Sequence, residues 1–202
     1  MRYIDLSVTL NEHTSVYLGD PKTKIEPAGV FKKDGYNDHY LSVGTHVGTH
    51  IDAPLHMIDG GKSLDQFPID NFIGRGVCIK VENKKFDLDQ IKNAGIRECD
   101  IVLLYTGLSD IYDKPEYFEH PSIPREIAQY LISKNIKIIG VDMASPDHEP
   151  FKIHKLFLNA GVLIIENLSN LSELIDKDFT IFALPIKLQL DGAPARVIAR
   201  LE

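Results

Sequence analysis

Short runs of β-branched and aliphatic residues recur along this chain, separated by glycine, proline and acidic positions. They predict strands over Ile4–Thr9, His39–Val43, Val77–Val81, Ile101–Tyr105, Ile136–Val141, Val162–Glu166, Thr180–Leu184 and Ala195–Ala199. Between some of these the apolar spacing turns helical. Asp87–Ala94 opens at an aspartate cap and stops at Gly95. Pro124–Lys134 places Ile127, Ala128, Leu131 and Ile132 on one face. Phe151–Asn159 ends before Gly161, and Ser169–Ile175 is a further short candidate. Helices and strands alternate in the later half, which predicts a partly parallel sheet. The early half is richer in strands and turns. No repeat, linker or boundary divides the chain. The expectation is a mixed α/β fold with flanking helices, one domain over residues 1–202.

Composition narrows the classes. Hydrophobic residues make up 44% and charged residues 25% of the 202 positions, the profile of a globular protein able to bury a sizeable core. The formal net charge is −7, from 22 basic and 29 acidic residues, which argues against nucleic acid or an anionic membrane as partner. No apolar run approaches the length of a membrane span. Met1-Arg2-Tyr3-Ile4-Asp5-Leu6 carries an acid where a signal peptide needs an apolar core, so the expected location is the cytoplasm. Cys78 and Cys99 lie beside apolar runs and are expected to be buried free thiols, with no disulfide and no thiolate metal site.

The chemistry concentrates in His46-Val47-Gly48-Thr49-His50-Ile51-Asp52-Ala53-Pro54-Leu55-His56, which holds three of the eight histidines and a carboxylate. Imidazole and carboxylate bind divalent metals, and imidazole also moves protons near neutral pH. Val47, Thr49 and Ile51 are β-branched and Gly48 is a poor helix former, so the run is extended. His46, Gly48, His50 and Asp52 then share a face. On a straight strand His46 and His50 would lie ~13 Å apart, at ~3.3 Å per residue. That is the limit for clasping one ion, so the chain must bend near Gly48. His50 and Asp52, ~6.6 Å apart, share an ion easily. Pro54 redirects the chain and brings His56 in from another angle. Two histidines and one carboxylate with an open position suit zinc.

Further candidates lie downstream. Glu166 closes the apolar run Gly161–Ile165, where a carboxylate calls for a cation or strong donors; a salt bridge, a cap or a metal would each serve. His154 falls on the helical segment before it. Asp142 follows the strand Ile136–Val141 and reads as a loop cap. His13, His39, His120 and His148 have no partners at diagnostic spacing. Phe31, Tyr36, Phe67 and Phe72 read as core.

The run from His46 to His56 resembles the pattern His-x-Gly-Thr-His-x-Asp-x-Pro-x-His of the metal-dependent cyclase family, which includes bacterial kynurenine formamidases and isatin hydrolases. Every fixed position is present. The resemblance extends over Ile4-Asp5-Leu6-Ser7, Tyr17-Leu18-Gly19-Asp20-Pro21, Gly140-Val141-Asp142, Glu166-Asn167-Leu168, Leu184-Pro185-Ile186-Lys187 and Gly192-Ala193-Pro194-Ala195-Arg196-Val197. It implies a swivelling β/β/α domain, a homodimer in which residues near the N-terminus line a neighbouring site, and two divalent metal ions per subunit, zinc or manganese. His46, His50 and Asp52 would hold the first ion. Asp52 would bridge to a second, bound also by His154 and Glu166, and Glu166 would bridge both. His56 would be the acid–base residue.

On that resemblance the expected reaction is hydrolysis of an aryl formamide, N-formyl-L-kynurenine first, as in tryptophan catabolism. Hydroxide held on the metals would attack and His56 would shuttle the proton. A cyclic amide such as isatin, or a lactone, is the second expectation. A non-catalytic metal- or ligand-binding protein is the third, and a spare proton carrier at His56 counts against it. Tyr17 stands where the formamidases carry tryptophan, and its ring still offers an aromatic wall to the substrate.

Overall fold

A computed structural model describes residues 1–202. Ten strands form: β1 (Arg2–Asp5), β2 (Lys24–Gly29), β3 (Asp38–Ser42), β4 (His50–Asp52), β5 (Ile73–Lys80), β6 (Ile101–Tyr105), β7 (Ile138–Val141), β8 (Leu163–Glu166), β9 (Phe179–Pro185) and β10 (Gly192–Leu201). The helices are α1 (Phe31–Asp34), α2 (Leu88–Asn93), α3 (Arg125–Ser133) and α4 (Lys152–Asn159). The main sheet runs β1-β10-β4-β8-β7-β6-β5-β9, and β9 also pairs with β10, so the sheet closes on itself like a barrel. Neighbours from β5 to β8 are parallel, and the remaining pairings are antiparallel. The fold is the mixed α/β arrangement expected.

Strand alternation sorts the core into two. Ile101 and Leu103 of β6, Leu163 and Ile165 of β8, and Ile51 of β4 face the barrel interior with Phe179 and Val197. Val102 and Leu104 of β6, with Ile164 of β8, face outward under the apolar sides of α2, α3 and α4, including Ile91, Leu131 and Phe157. Strands buried on both faces read as continuous apolar runs, which is why β6 stood out in the sequence. Asp87 caps α2 by accepting from the Asp89 and Gln90 N–H groups.

The structure departs from the expectations at several points. Ser169–Ile175 forms a 3-10 turn over Leu171–Leu174 rather than an α-helix. β2 carries Pro27 and little β-branched sequence, so its pattern is weak; it forms a two-stranded sheet with β3 beside α1. Phe31 and Tyr36 lie on this arm, 65% and 57% exposed, and are not core; Phe72 is buried. Cys99 is exposed, on a left-handed turn with φ 64° after the polar Arg97-Glu98 pair. Cys78 is half-buried, and burial, helped by Asp142, pushes its thiol up to about 12. No helix is long and apolar enough to cross a membrane.

Candidate metal centre

β4 places the first ligand candidates. His50 stands opposite Glu166 across the antiparallel β4–β8 pair, and Asp52 stands opposite Ile164. Alternation turns Ile51 into the core and sends His50 and Asp52 to the other face with Glu166. Upstream, Gly48 takes the left-handed conformation, φ 62°, and bends the chain as strand length required. His46 thereby swings to within 5.2 Å of His50, ring centre to ring centre. Thr49 pins the bend: its hydroxyl donates to the Asn167 carbonyl at 2.7 Å and accepts from the Val8 N–H at 2.9 Å. The Asn167 amide donates to the Gly48 carbonyl at 3.0 Å and closes the loop. Pro54 starts a 3-10 turn over Pro54–His56 that carries His56 back over His46.

α4 supplies His154 from above β8. His154 Nε2 lies 3.0 Å from Glu166 Oε1 and 3.8 Å from Asp52 Oδ2. His46 Nδ1 lies 2.7 Å from Asp52 Oδ1, and His50 Nε2 is 3.3 Å from both Asp52 and Glu166. Each imidazole thus presents one nitrogen to the two carboxylates. Its other nitrogen is held from outside: His46 Nε2 by Asp191 at 2.8 Å, His50 Nδ1 by the Gly48 carbonyl at 2.8 Å, and His154 Nδ1 by Asp147 at 2.6 Å. Asp147 is itself buried and accepts from the Ile153 N–H at 2.6 Å. This is the outer support that ligating histidines receive in metal sites.

The electrostatics point the same way. Burial lowers the His154 pKa, but Asp147 and Glu166 outweigh it and raise it to about 10. Burial likewise lowers His50 and His46, while Asp52 raises both, His50 well above the ordinary range. Burial would raise Asp52 and Glu166; their histidine neighbours hold both down, against mutual repulsion between the two carboxylates in the case of Glu166. Such a cluster keeps its carboxylates ionised and calls for compensating positive charge. Yet His50 Nε2 and Asp52 Oδ2 are buried with no aligned hydrogen bond. Three groups of possible ligands result: His46-His50-Asp52 and the fully buried Asp52-His154-Glu166, which share Asp52, and the half-buried His46-His56-Asp191. The residues fit divalent ions.

The two unpartnered atoms are the mark of that fit, because native proteins seldom leave buried polar atoms unsatisfied. All five ligand candidates named from the sequence converge. His56 lies over His46, ring centres 3.8 Å apart and planes tilted by 35°, and has its own pKa lowered by burial. Tyr17 lies on the wall of a cavity of about 220 Å³ that also meets His46, His56, His154 and Glu166. Its ring packs edge-on against Phe118 and Phe151 at 6.2 and 6.4 Å. Sequence reading missed these two phenylalanines, together with Asp147 and Asp191. Asp191 directly precedes the Gly192–Val197 segment, so that segment read one residue too short. Asp142 is the loop cap expected, accepting from the Thr106 and Gly107 N–H groups at 2.8 Å.

Residues 4–148 match the Cyclase family, described as "Putative cyclase". A kynurenine formamidase of Bacillus mycoides (strain KBAB4) is 31% identical, aligned over 98% of this chain and 97% of its own. Isatin hydrolase A from Labrenzia aggregata superposes with a TM-score of 0.87 at 28% identity, over 98% of this chain and 93% of the other. A "predicted metal-dependent hydrolase" from Bacillus stearothermophilus superposes with a TM-score of 0.80 at 31% identity, over 98% and 97%.

Proposed function

Because the chain belongs to the cyclase family and is a metal-dependent hydrolase of C–N amide bonds, we propose that it hydrolyses an aryl formamide, N-formyl-L-kynurenine first. The observation that carries the reading is the buried cluster of three imidazoles and two carboxylates with unpartnered His50 Nε2 and Asp52 Oδ2. His46, His50 and Asp52 would hold one divalent ion, and Asp52, His154 and Glu166 a second. Two imidazoles with carboxylates suit zinc, and the shared carboxylate also suits manganese. When bound, such ions supply a water acidified to a pKa of ~7 and a Lewis acid for a carbonyl oxygen.

The protein's own residues do the rest. Tyr17, Phe118 and Phe151 offer aromatic faces and edges to the aryl group. The cavity is small beside the ~300–1,000 Å³ of typical ligand pockets, and so suits a single ring system. A second hollow of about 790 Å³ shares Ser15, Tyr17, Phe118 and Phe151 with it, and would offer room for a side arm on that ring. His56, on the cavity wall with its pKa lowered, is free to accept a proton and return it to the departing amine. His46 and His154 are held at both nitrogens and His50 is anchored at Nδ1 by the Gly48 carbonyl, so none of the three can turn to do so. Hydrolysis of a cyclic amide such as isatin is the second reading, favoured by the similarity to isatin hydrolase A.

The whole chain would act as one domain in a cytoplasmic homodimer, with small-molecule substrates as its other partners. The arm of β2, α1 and β3 supports the dimer. It buries little on its own chain, and two-stranded sheets are marginal alone. One experiment tests the reading: the protein loaded with zinc or with manganese is assayed against N-formyl-L-kynurenine, isatin and simple aryl formamides. Light scattering on the same sample reads the oligomer. Turnover of the formamides above isatin is expected; no turnover of any of them, with metal bound, overturns it.

A further inference from the structure

Asp191 lies at the turn that opens β10, and its carbonyl accepts from the Ala53 N–H at 2.8 Å. That bond ties the turn to the 3-10 segment carrying His56. One carboxylate oxygen, Oδ2, reaches both of these adjoining rings: 2.8 Å to His46 Nε2 and 3.5 Å to His56 Nδ1. The residue after it must be glycine for this to hold. A Cβ at Gly192 would fall 2.7 Å from His46 Cε1 and 3.0 Å from the Ile51 carbonyl. Bare backbone therefore seats His46, and His46 in turn backs the ring of His56.

We propose that Asp191 is a positioning residue for His56, turning its Nδ1 edge outward and leaving the Nε2 edge to the substrate. This rests on the reading of His56 as the proton carrier. An acceptor beside Nδ1 selects the tautomer with hydrogen on Nδ1, so Nε2 bears the lone pair that takes the proton. The 3.5 Å separation is an ion-pair contact rather than an aligned hydrogen bond. Catalytic hydrogen bonds are often long in the free enzyme and tighten when substrate is bound. The same role for a carboxylate behind a catalytic imidazole operates in serine hydrolases. The competing role is that Asp191 serves His46 alone, as an outer partner of a metal ligand.

Two measurements on the metal-loaded protein separate these roles. Long-range 1H–15N spectra of the zinc-loaded protein report the His56 tautomer without any substrate. Steady-state assays with elemental analysis report kcat, KM and metals per chain. In Asp191→Ala the His56 resonances are expected to shift from the Nδ1–H form to a mixture. Assayed at saturating zinc, its kcat falls about 10²-fold while KM stays within about twofold of the parent; metal affinity also weakens, since Asp191 holds His46 as well. Asp191→Asn is expected to stay low in kcat with the alanine variant, because its amide can turn an N–H toward Nδ1 and favour the other tautomer, as the same change does in serine hydrolases. Recovery of the parent kcat once zinc saturates the site of Asp191→Ala, or unchanged His56 spectra, overturns the proposal. If the parent opens none of the substrates, the reaction assigned above fails, and the spectra still decide whether Asp191 sets the ring.

Discussion

His56 belongs to the same bent run as three members of the cluster, yet no carboxylate except Asp191 lies within ion-pair range of it. Its separation from the ligand set is geometric: the 3-10 turn started by Pro54 lays it on His46 instead of beside Asp52. His56→Ala is therefore expected to keep its metals and lose turnover by ~10²–10⁴-fold, the usual worth of positioned proton transfer. Elemental analysis beside kcat checks this, and departure of the metals would make His56 a ligand. At this scale most of the site was legible. Histidine and aspartate at alternating positions announce a shared face. Asp147 and Asp191 were not legible, because an outer carboxylate is defined by the ring it meets and carries no spacing of its own.

The element that makes the site is the short strand β4 together with the bend before it. Thr49 is the joint between them, bonded to Val8 on one side and Asn167 on the other. Thr49→Val keeps the shape and removes the hydroxyl, leaving the half-buried Val8 amide and the buried Asn167 carbonyl short of a partner. Each unsatisfied group costs about 1–3 kcal/mol. A fall in thermal midpoint, with metal affinity weakened as the bend loosens, is expected in calorimetry and metal titration. An unchanged midpoint would show that water replaces the hydroxyl. Strands buried on both faces were read well, since β6 and β8 are unbroken apolar runs. β2 was missed because Pro27 and scattered polar residues leave no alternation. The 3-10 turn at Leu171–Leu174 was read as helix because three or four residues cannot distinguish the two periods.

The charge balance of the whole molecule depends on what occupies the cluster. In the metal-free protein His154 titrates at about 10, above its ordinary 6.5. A raised folded pKa contributes stability that is complete below about pH 6.5 and drains away as pH climbs through 10. The contribution is on the order of a few kcal/mol. Asp52 and Glu166, both lowered, act in the opposite direction: their contribution is present above the ordinary carboxylate range and is lost in acid. A divalent ion displaces the His154 proton, so the alkaline loss disappears in the loaded form. Thermal unfolding from pH 6.5 to 10 is expected to show the metal-free midpoint falling and the loaded midpoint holding. Parallel curves would mean that no ion reaches His154.

Taken alone, the order of residues determined a mixed α/β fold, a necessary bend at Gly48, and a shared face of His46, His50 and Asp52 with the chemistry to hold a metal. Periodicity and peptide dimensions are local properties, so a chain states them openly. Closure of the sheet decided the rest. Pairing β4 with β8 set Glu166 opposite His50, packing α4 over β8 delivered His154, and the start of β10 brought Asp191 to His46 and His56. Glu166, His154 and Asp191 all lie about a hundred positions or more from the run His46–His56, and only the register between distant strands and the packing of α4 bring them within reach of it.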